Sequence, residues 1–307
     1  MSTIFTISIL QSALELGCIY SLVALALFIS FSLLNIADLS TDGCFTLGCA
    51  TGAMVTLSGH PFLALFAAIA AGVCSGFVTA FLQTRMGIES ILAGIIVNTG
   101  LYTINIAVMG FSSVANLFNC DTVFSIAKIY LGQGIYKLIV AAGITIIVAV
   151  LLALFLGTRL GMSIRATGDN PDMVQASSIN SAFTITVGLC VANSLTALSG
   201  CLIAQYQKSC DINIGTGMVT IALASLIIGE TLIGKGGMIR RVIGVIFGSC
   251  LYRFIVAVAL RLNVSAECLK LVSAVIVAAA IASPYLKEKA AFMARVRLSK
   301  KGGGKNA

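Results

Sequence analysis

Nine apolar runs follow one another along this chain, parted only by short stretches that hold its charges, prolines and polar clusters. They are Ile7–Leu33, Gly43–Leu57, Phe62–Leu82, Ile91–Gly110, Tyr136–Leu156, Ala182–Ala204, Met218–Ile233, Val242–Leu260 and Cys268–Ser283. A helix needs ~20 mostly apolar residues to cross the hydrocarbon of a bilayer. Only helices and closed barrels satisfy their backbone there. None of the runs alternates with the two-residue period of a barrel strand, so helices are expected. Charged residues make up 10% of the chain, against roughly 25% in a soluble globule. The chain cannot clothe itself for water, and a lipid bilayer is its expected solvent. The reading is an all-α polytopic membrane protein of eight to ten transmembrane helices. A transmembrane domain spans residues 1–284, and a basic tail without fixed structure covers 285–307.

The charges that remain set the orientation. Lys287, Lys289, Arg295, Arg297, Lys300, Lys301 and Lys305 face only Glu288 in the tail, which holds most of the net +8. Cytoplasmic segments carry the Lys and Arg excess, so the tail is placed inside. Counting back puts Lys235–Arg241, Gly157–Ser178 and Arg85–Glu89 inside as well. The segments Ser112–Ile135 and Gln205–Gly217, with only Lys128 and Lys208, fall outside. The N-terminus is outside if all nine runs cross and inside if the short run Gly43–Leu57 does not. The positive charge therefore reports topology, and nucleic acid is not an expected partner. Met1–Phe5 lacks a basic leader, so the first run is expected to be retained.

Two runs, Gly43–Leu57 and Met218–Ile233, are only about sixteen residues long, and each follows an acidic, Gly-rich lead-in. The first is Asp38-Leu-Ser-Thr-Asp42-Gly43 and the second Asp211-Ile-Asn-Ile-Gly215-Thr-Gly217. Short or interrupted spans in corresponding places of two halves point to an inverted internal repeat with a path at its interface. Two unrelated loops that both need glycine would give the same pattern.

Enzyme chemistry finds little to work with. His60 is the one histidine, which excludes a His-rich metal site, and no Ser/His/Asp or Cys/His set can be assembled around it. The ten cysteines lie mostly inside apolar runs and read as small packing residues, with Cys120 and Cys210 as a conceivable outside pair. Gly229-Glu-Thr-Leu-Ile-Gly234-Lys235-Gly236 imitates a phosphate-binding loop, but Gly236 stands where Ser or Thr must hold Mg²⁺. No catalytic residue, metal or cofactor is expected.

Polar side chains inside spans are costly and therefore candidates for function. Gln11 and Glu15 share a helix face at i,i+4, Asn98 and Asn105 lie at i,i+7, Asn193 sits in mid-span, and Glu230 ends the seventh run. For the asparagines, interhelical hydrogen bonding competes with solute contact. Glu230 has Lys235, Arg240 and Arg241 close by for an interfacial ion pair. In the inside loop Gly161–Asn180, Asp169 or Asn170 can cap a helix that has Pro171 at its first position and Asp172 in its first turn. This predicts a short cytoplasmic helix, about residues 165–180, suited to docking on another protein.

The loop Arg165-Ala166-Thr167-Gly168-Asp169-Asn170-Pro171, with Ala176, Ser178-Ile179 and Leu195–Gly200, resembles the permease subunits of ATP-binding-cassette importers. The family in question includes the branched-chain amino acid and ribose permeases. Gly17-Cys-Ile-Tyr20 and Asn35-Ile-Ala-Asp38-Leu-Ser40 are similar to its first span and following turn, and the likeness runs over nearly the whole chain. Ser178 stands where that family usually has Gly, and Glu230 where Gly is frequent. The Ala-Ser-Leu-Ile-Ile-Gly-Glu wording is nearer to a branch thought to serve amino acids, aromatic ones among them.

The resemblance implies a type II-like importer permease working as a homodimer in a bacterial cell membrane. Its implied partners are a cytoplasmic ATPase and an extracytoplasmic substrate-binding protein. It places Arg165, Gly168, Asp169, Asn170 and Pro171 at the ATPase contact. Glu15, Asn35, Asp38, Asn98 and Glu230 are the residues expected along the path. The competing reading is an ion-coupled secondary transporter that uses Glu15 or Asp38 and needs no ATPase.

Overall fold

A computed structural model describes residues 7–132, 134–234 and 236–261, together with 271, 274, 275, 278 and 282. The run Cys268–Ser283 and the basic tail lie essentially outside the described residues. The remaining eight runs are all helical. α1 (Ile7–Leu27) continues into a π-helical turn, Phe28–Leu33. α2 (Thr41–Leu57), α3 (Pro61–Thr84) and α4 (Ser90–Val108) follow. After a strand β1 (Val114–Asn116) and α5 (Val123–Leu131) comes α6 (Tyr136–Gly157). α7 (Arg159–Asp169) and α8 (Pro171–Ala176) precede the long α9 (Ser181–Gln207). Strand β2 (Ser209–Asp211), α10 (Met218–Ile233) and α11 (Met238–Arg261) complete the described part.

Six of these helices are long and apolar enough to cross a membrane, while α2 and α10 are shorter. α1 and α9 are the most enclosed of the six and α6 the least. The bundle is therefore organised on α1 and α9, and the Leu- and Ile-rich α6 lies at its edge. Small residues let the centre close. A Cβ on Gly48 would strike the Ala197 backbone and one on Gly200 the Phe45 carbonyl, so α2 and α9 touch along their main chains. Thiols join this seam, Cys44 Sγ donating to the Asn193 carbonyl at 3.3 Å and Cys49 Sγ to that of Gly200 at 3.0 Å. That is the close approach small residues permit where lipid supplies no hydrophobic drive.

One end of the bundle is closed by polar pairing. β1 and β2 pair antiparallel, with Ala115 opposite Cys210. The buried Gln205 accepts from the Val123 amide and donates to Thr56 Oγ1 and the Pro61 carbonyl, tying α5 to the α2–α3 turn. Gln11 donates to the Gly134 carbonyl, so α1 starts at this end. It finishes beside α7, where a Cβ on Gly168 would meet the Leu33 carbonyl. Cys120 and Cys210 are both free thiols, and Cys210 lies against Met109 Sδ at 4.0 Å, so the conceivable outside pair does not form.

α2 and α10 give the fold its distinctive centre. At 1.5 Å per residue they span about 25 Å each, less than the ~30 Å of a hydrocarbon core. Their N-termini meet: Asp42, in the first turn of α2, accepts from the amides of Gly217 and Val219 at 2.9 Å each. From there α2 runs to the β1–β2 end and α10 to the α7 end. Both lead-ins fold as the same turn, Asp38 Oδ1 accepting from the Ser40 amide at 2.8 Å and Asp211 Oδ1 from the Asn213 amide at 2.7 Å. The two short helices thus meet head to head at their N-termini.

Candidate functional site

Residues expected along one path are distributed by the structure over several sites. Glu15 is buried in the first half of α1 and accepts from Gln11 Nε2 at 2.9 Å and the Tyr206 hydroxyl at 2.8 Å. Lys137 Nζ lies 4.5 Å from the centre of the Tyr206 ring. Asp38 is 2% exposed; Oδ1 accepts from the Ser40 amide and hydroxyl and Oδ2 from Asn193 Nδ2 at 3.2 Å. Three neutral donors thus hold a carboxyl where no cation of the described chain contacts it. Asn193, placed by its sequence between packing and solute contact, supports Asp38.

Glu230 forms an ion pair with Arg241 at 2.6 Å and accepts from Ser32 Oγ at 2.8 Å. Arg241 also donates to Ser32 Oγ and covers the Phe28 ring at 4.9 Å. The knot ties α10 and α11 to the π-helical turn that ends α1. Replacing Arg241 with Met leaves a partly buried acid with one neutral partner, and a loss of about 2 kcal/mol is expected. Pairing R241M with E230Q should recover part of that loss. Thermal unfolding in detergent measures both, and an R241M midpoint equal to that of the parent would show that the pair is not structural.

The loop expected to dock a partner folds as two helices rather than one. Thr158 caps α7 by accepting from the Gly161 amide, and Asn170 breaks the path with φ −158° and ψ 99°. Asn170 Oδ1 accepts from the amides of Asp172 and Met173 at 3.1 Å each, with Pro171 first in α8. Between the two capping residues offered by the sequence, the structure selects Asn170. Arg165, Asp169, Asn170 and Pro171 are exposed, whereas Gly168 faces inward onto Leu33. Ser178 has φ 61°, the left-handed region, which accounts for the glycine usual at that place. Asn35, also left-handed at φ 56°, opens onto a cavity of about 550 Å³ shared with Gly168, Asp169 and Pro171. An expected path residue thereby shares a cavity with the α7–α8 turn.

Asn98 alone of the five path residues reaches the polar cavity at the head-to-head junction. This cavity, about 430 Å³, is lined by Asp42, Thr46, Asn98, Tyr102, Asn105 and Asn213 among others. Gly43 lets Asn98 approach its wall closely, since a Cβ there would lie 2.6 Å from Asn98 Oδ1. Asn105, at i,i+7 from Asn98, donates from Nδ2 to the Gly43 carbonyl at 3.1 Å. Asp42 and Asn213 were visible only as members of glycine-rich lead-ins, which the fold brings together through the bond between Asp42 and Gly217, 175 residues apart. Arg253 is a further intramembrane charge, its guanidinium 3.5 Å from the centre of the Tyr20 ring, which stacks on Phe45. A charge inside the eighth apolar run was its signal.

Comparison with known proteins gives a consistent set. The family described as branched-chain amino acid transport system / permease component matches residues 9–281. A tyrosine transport system permease protein of Clostridioides difficile (strain R20291) is 34% identical over 276 residues, covering 90% of this chain and 91% of that one. An uncharacterized protein of Rickettsia prowazekii (strain Madrid E) is 29% identical over 280 residues, covering 90% and 98%. The ribose import permease protein of Escherichia coli (strain K12) is 25% identical over 287 residues, covering 90% and 85%.

Proposed function

Because this chain belongs to the permease component family of branched-chain amino acid transport systems, we propose that its solute is an amino acid, and an aromatic one in particular. The chain is a multi-pass permease of an ATP-binding-cassette importer in a bacterial cell membrane, and its described helices are those of a membrane-spanning protein. The aromatic solute is supported by the tyrosine transport permease among its relatives. α7 and α8 form the cytoplasmic docking element for a separate ATPase. A substrate-binding protein delivers the solute at the β1–β2 end, and two copies of the chain enclose the path. The domain boundary at residue 284 fits this arrangement, the tail serving as a cytoplasmic anchor.

The observation that carries the reading is the exposed turn at Asn170. A buried connection would need no exposed helix of this kind. Here Arg165, Asp169 and Pro171 are all exposed on a helix pair braced against the end of α1. ATP hydrolysis then belongs to the partner, and the permease contributes the moving wall.

Reconstitution with the ATPase and binding protein tests it. Labelled tyrosine uptake is expected to require ATP and to survive collapse of the proton gradient; the opposite pattern would replace this reading with ion-coupled transport. Asp169→Arg with Pro171→Glu is expected to lower ATPase co-purification at least tenfold while leaving the permease folded. Unchanged co-purification would remove the docking assignment.

A further inference from the structure

The cavity at the junction of α2, α4 and α10 has a definite polarity. Asp42 closes its floor, and both carboxylate oxygens retain acceptor capacity after receiving the Gly217 and Val219 amides. Thr46 donates its hydroxyl proton to the Asp42 carbonyl and Thr99 to that of Ile95, which turns their remaining lone pairs into acceptors. Asn105 is 1% exposed, and its Oδ1 is buried without a partner. The amide cannot be turned over to relieve this, because Nδ2 is fixed by the Gly43 carbonyl, which requires a donor. No Lys, Arg or His lines the cavity among the described residues.

An unpartnered buried acceptor beside a carboxylate, on a lining that holds no cation among the described residues, suits a cationic donor. A buried polar atom left without a partner carries a desolvation penalty that a ligand bringing N–H groups removes. An ammonium group brings three donors and a charge that the carboxylate complements. A carboxylate ligand would meet the Asp42 carboxylate with no cation among the described lining residues to offset the repulsion. The rim supplies an apolar companion surface in the Tyr102 ring, which is half exposed.

We propose that this cavity is a binding site for the primary ammonium group of the transported solute, with Asn105 Oδ1 and Asp42 as its acceptors and Tyr102 beside the solute's side chain. The proposal rests on the amino acid reading above and names the end of the solute that the permease itself recognises. A solute entering with its ammonium group leading would meet this site at the depth where the two short helices start. Selection for the amino group is then exercised in the membrane path.

The chain contains no tryptophan, so Tyr102→Trp places a single fluorescent reporter at the rim of the full-length permease in detergent. Tyramine, an ammonium without a carboxylate, is expected to shift its emission saturably, and 3-(4-hydroxyphenyl)propionate, a carboxylate without an ammonium, is not. Adding Asn105→Leu should weaken the tyramine response at least tenfold. The exposed Asn213→Asp adds a charge at the rim without touching the packing and should tighten it several-fold. Equal response to the anion, or a tyramine affinity indifferent to both substitutions, would overturn the proposal. The reading of the whole protein fails separately. Tyramine binding without ATP-driven uptake would leave the site and remove the importer assignment, and ATP-driven uptake with a silent reporter would do the reverse.

Discussion

Replacing Asp42 with leucine is expected to lower the stability of the permease by about 3 kcal/mol, because it strips the N-terminus of α10 of its cap. The first amides of a helix have no partner within it. Here Gly217 and Val219 find theirs in a carboxylate delivered by another helix, at 2.9 Å each. Leucine fits the space but accepts nothing, and an amide left without a partner at this depth costs ~1–3 kcal/mol. Asparagine keeps one acceptor oxygen and should retain roughly half of the loss, through a neutral bond in place of a charge-assisted one. Thermal unfolding in a mild detergent orders the three proteins. If D42L and the parent melt together, the junction is held by packing and not by the carboxylate.

Gly48→Val should have an effect at least as large and a different cause. The added Cβ would meet the carbonyl and Cα of Ala197, which are main-chain atoms that cannot rotate away. α2 and α9 must part, and the seam that Gly200 and Cys49 form beside them opens as well. Overpacking of a closed core costs ~1–3 kcal/mol when side chains can adjust, and more is expected against backbone. Gly143→Val in α6 supplies the comparison, since a Cβ there meets nothing within 4 Å. The expected result is an aggregated or poorly expressed G48V protein beside a G143V protein of normal yield. Similar yields would show that the central helices separate at little cost.

These two residues also mark what sequence reasoning can reach. The nine apolar runs locate eight helices to within a few residues at most ends, since length and hydropathy are local properties and the bilayer imposes them directly. α7 was missed because its mixed polar surface carries no membrane signal; Thr158, its cap, was the available sign. Asn170 was legible because capping is decided by a residue and its next three neighbours. Glu230 was legible as an ion pair, although the choice of Arg241 over Arg240 depends on which face of α11 meets α1. Asp42 was not legible as a cap, because its partners arrive from the far side of the sequence. The same reason separates Asn98 from Glu15, Asn35, Asp38 and Glu230: all five are polar residues in or beside apolar runs, and only the packing of α4 on α2 puts Asn98 at the cavity.

The bond between Asp42 and α10 has a consequence in time. The two partners lie 175 residues apart, and chains are made at about 5–20 residues per second. A nascent α2 therefore waits roughly 9 to 35 s in the membrane before the amides that engage its carboxylate have been synthesised. During that interval α1, α3, α4 and then α9 are available to pack against α2, while its acid faces the place where α10 will arrive. Insertion of this permease is thus completed late, and a chain interrupted before Val219 is a natural substrate for membrane quality control.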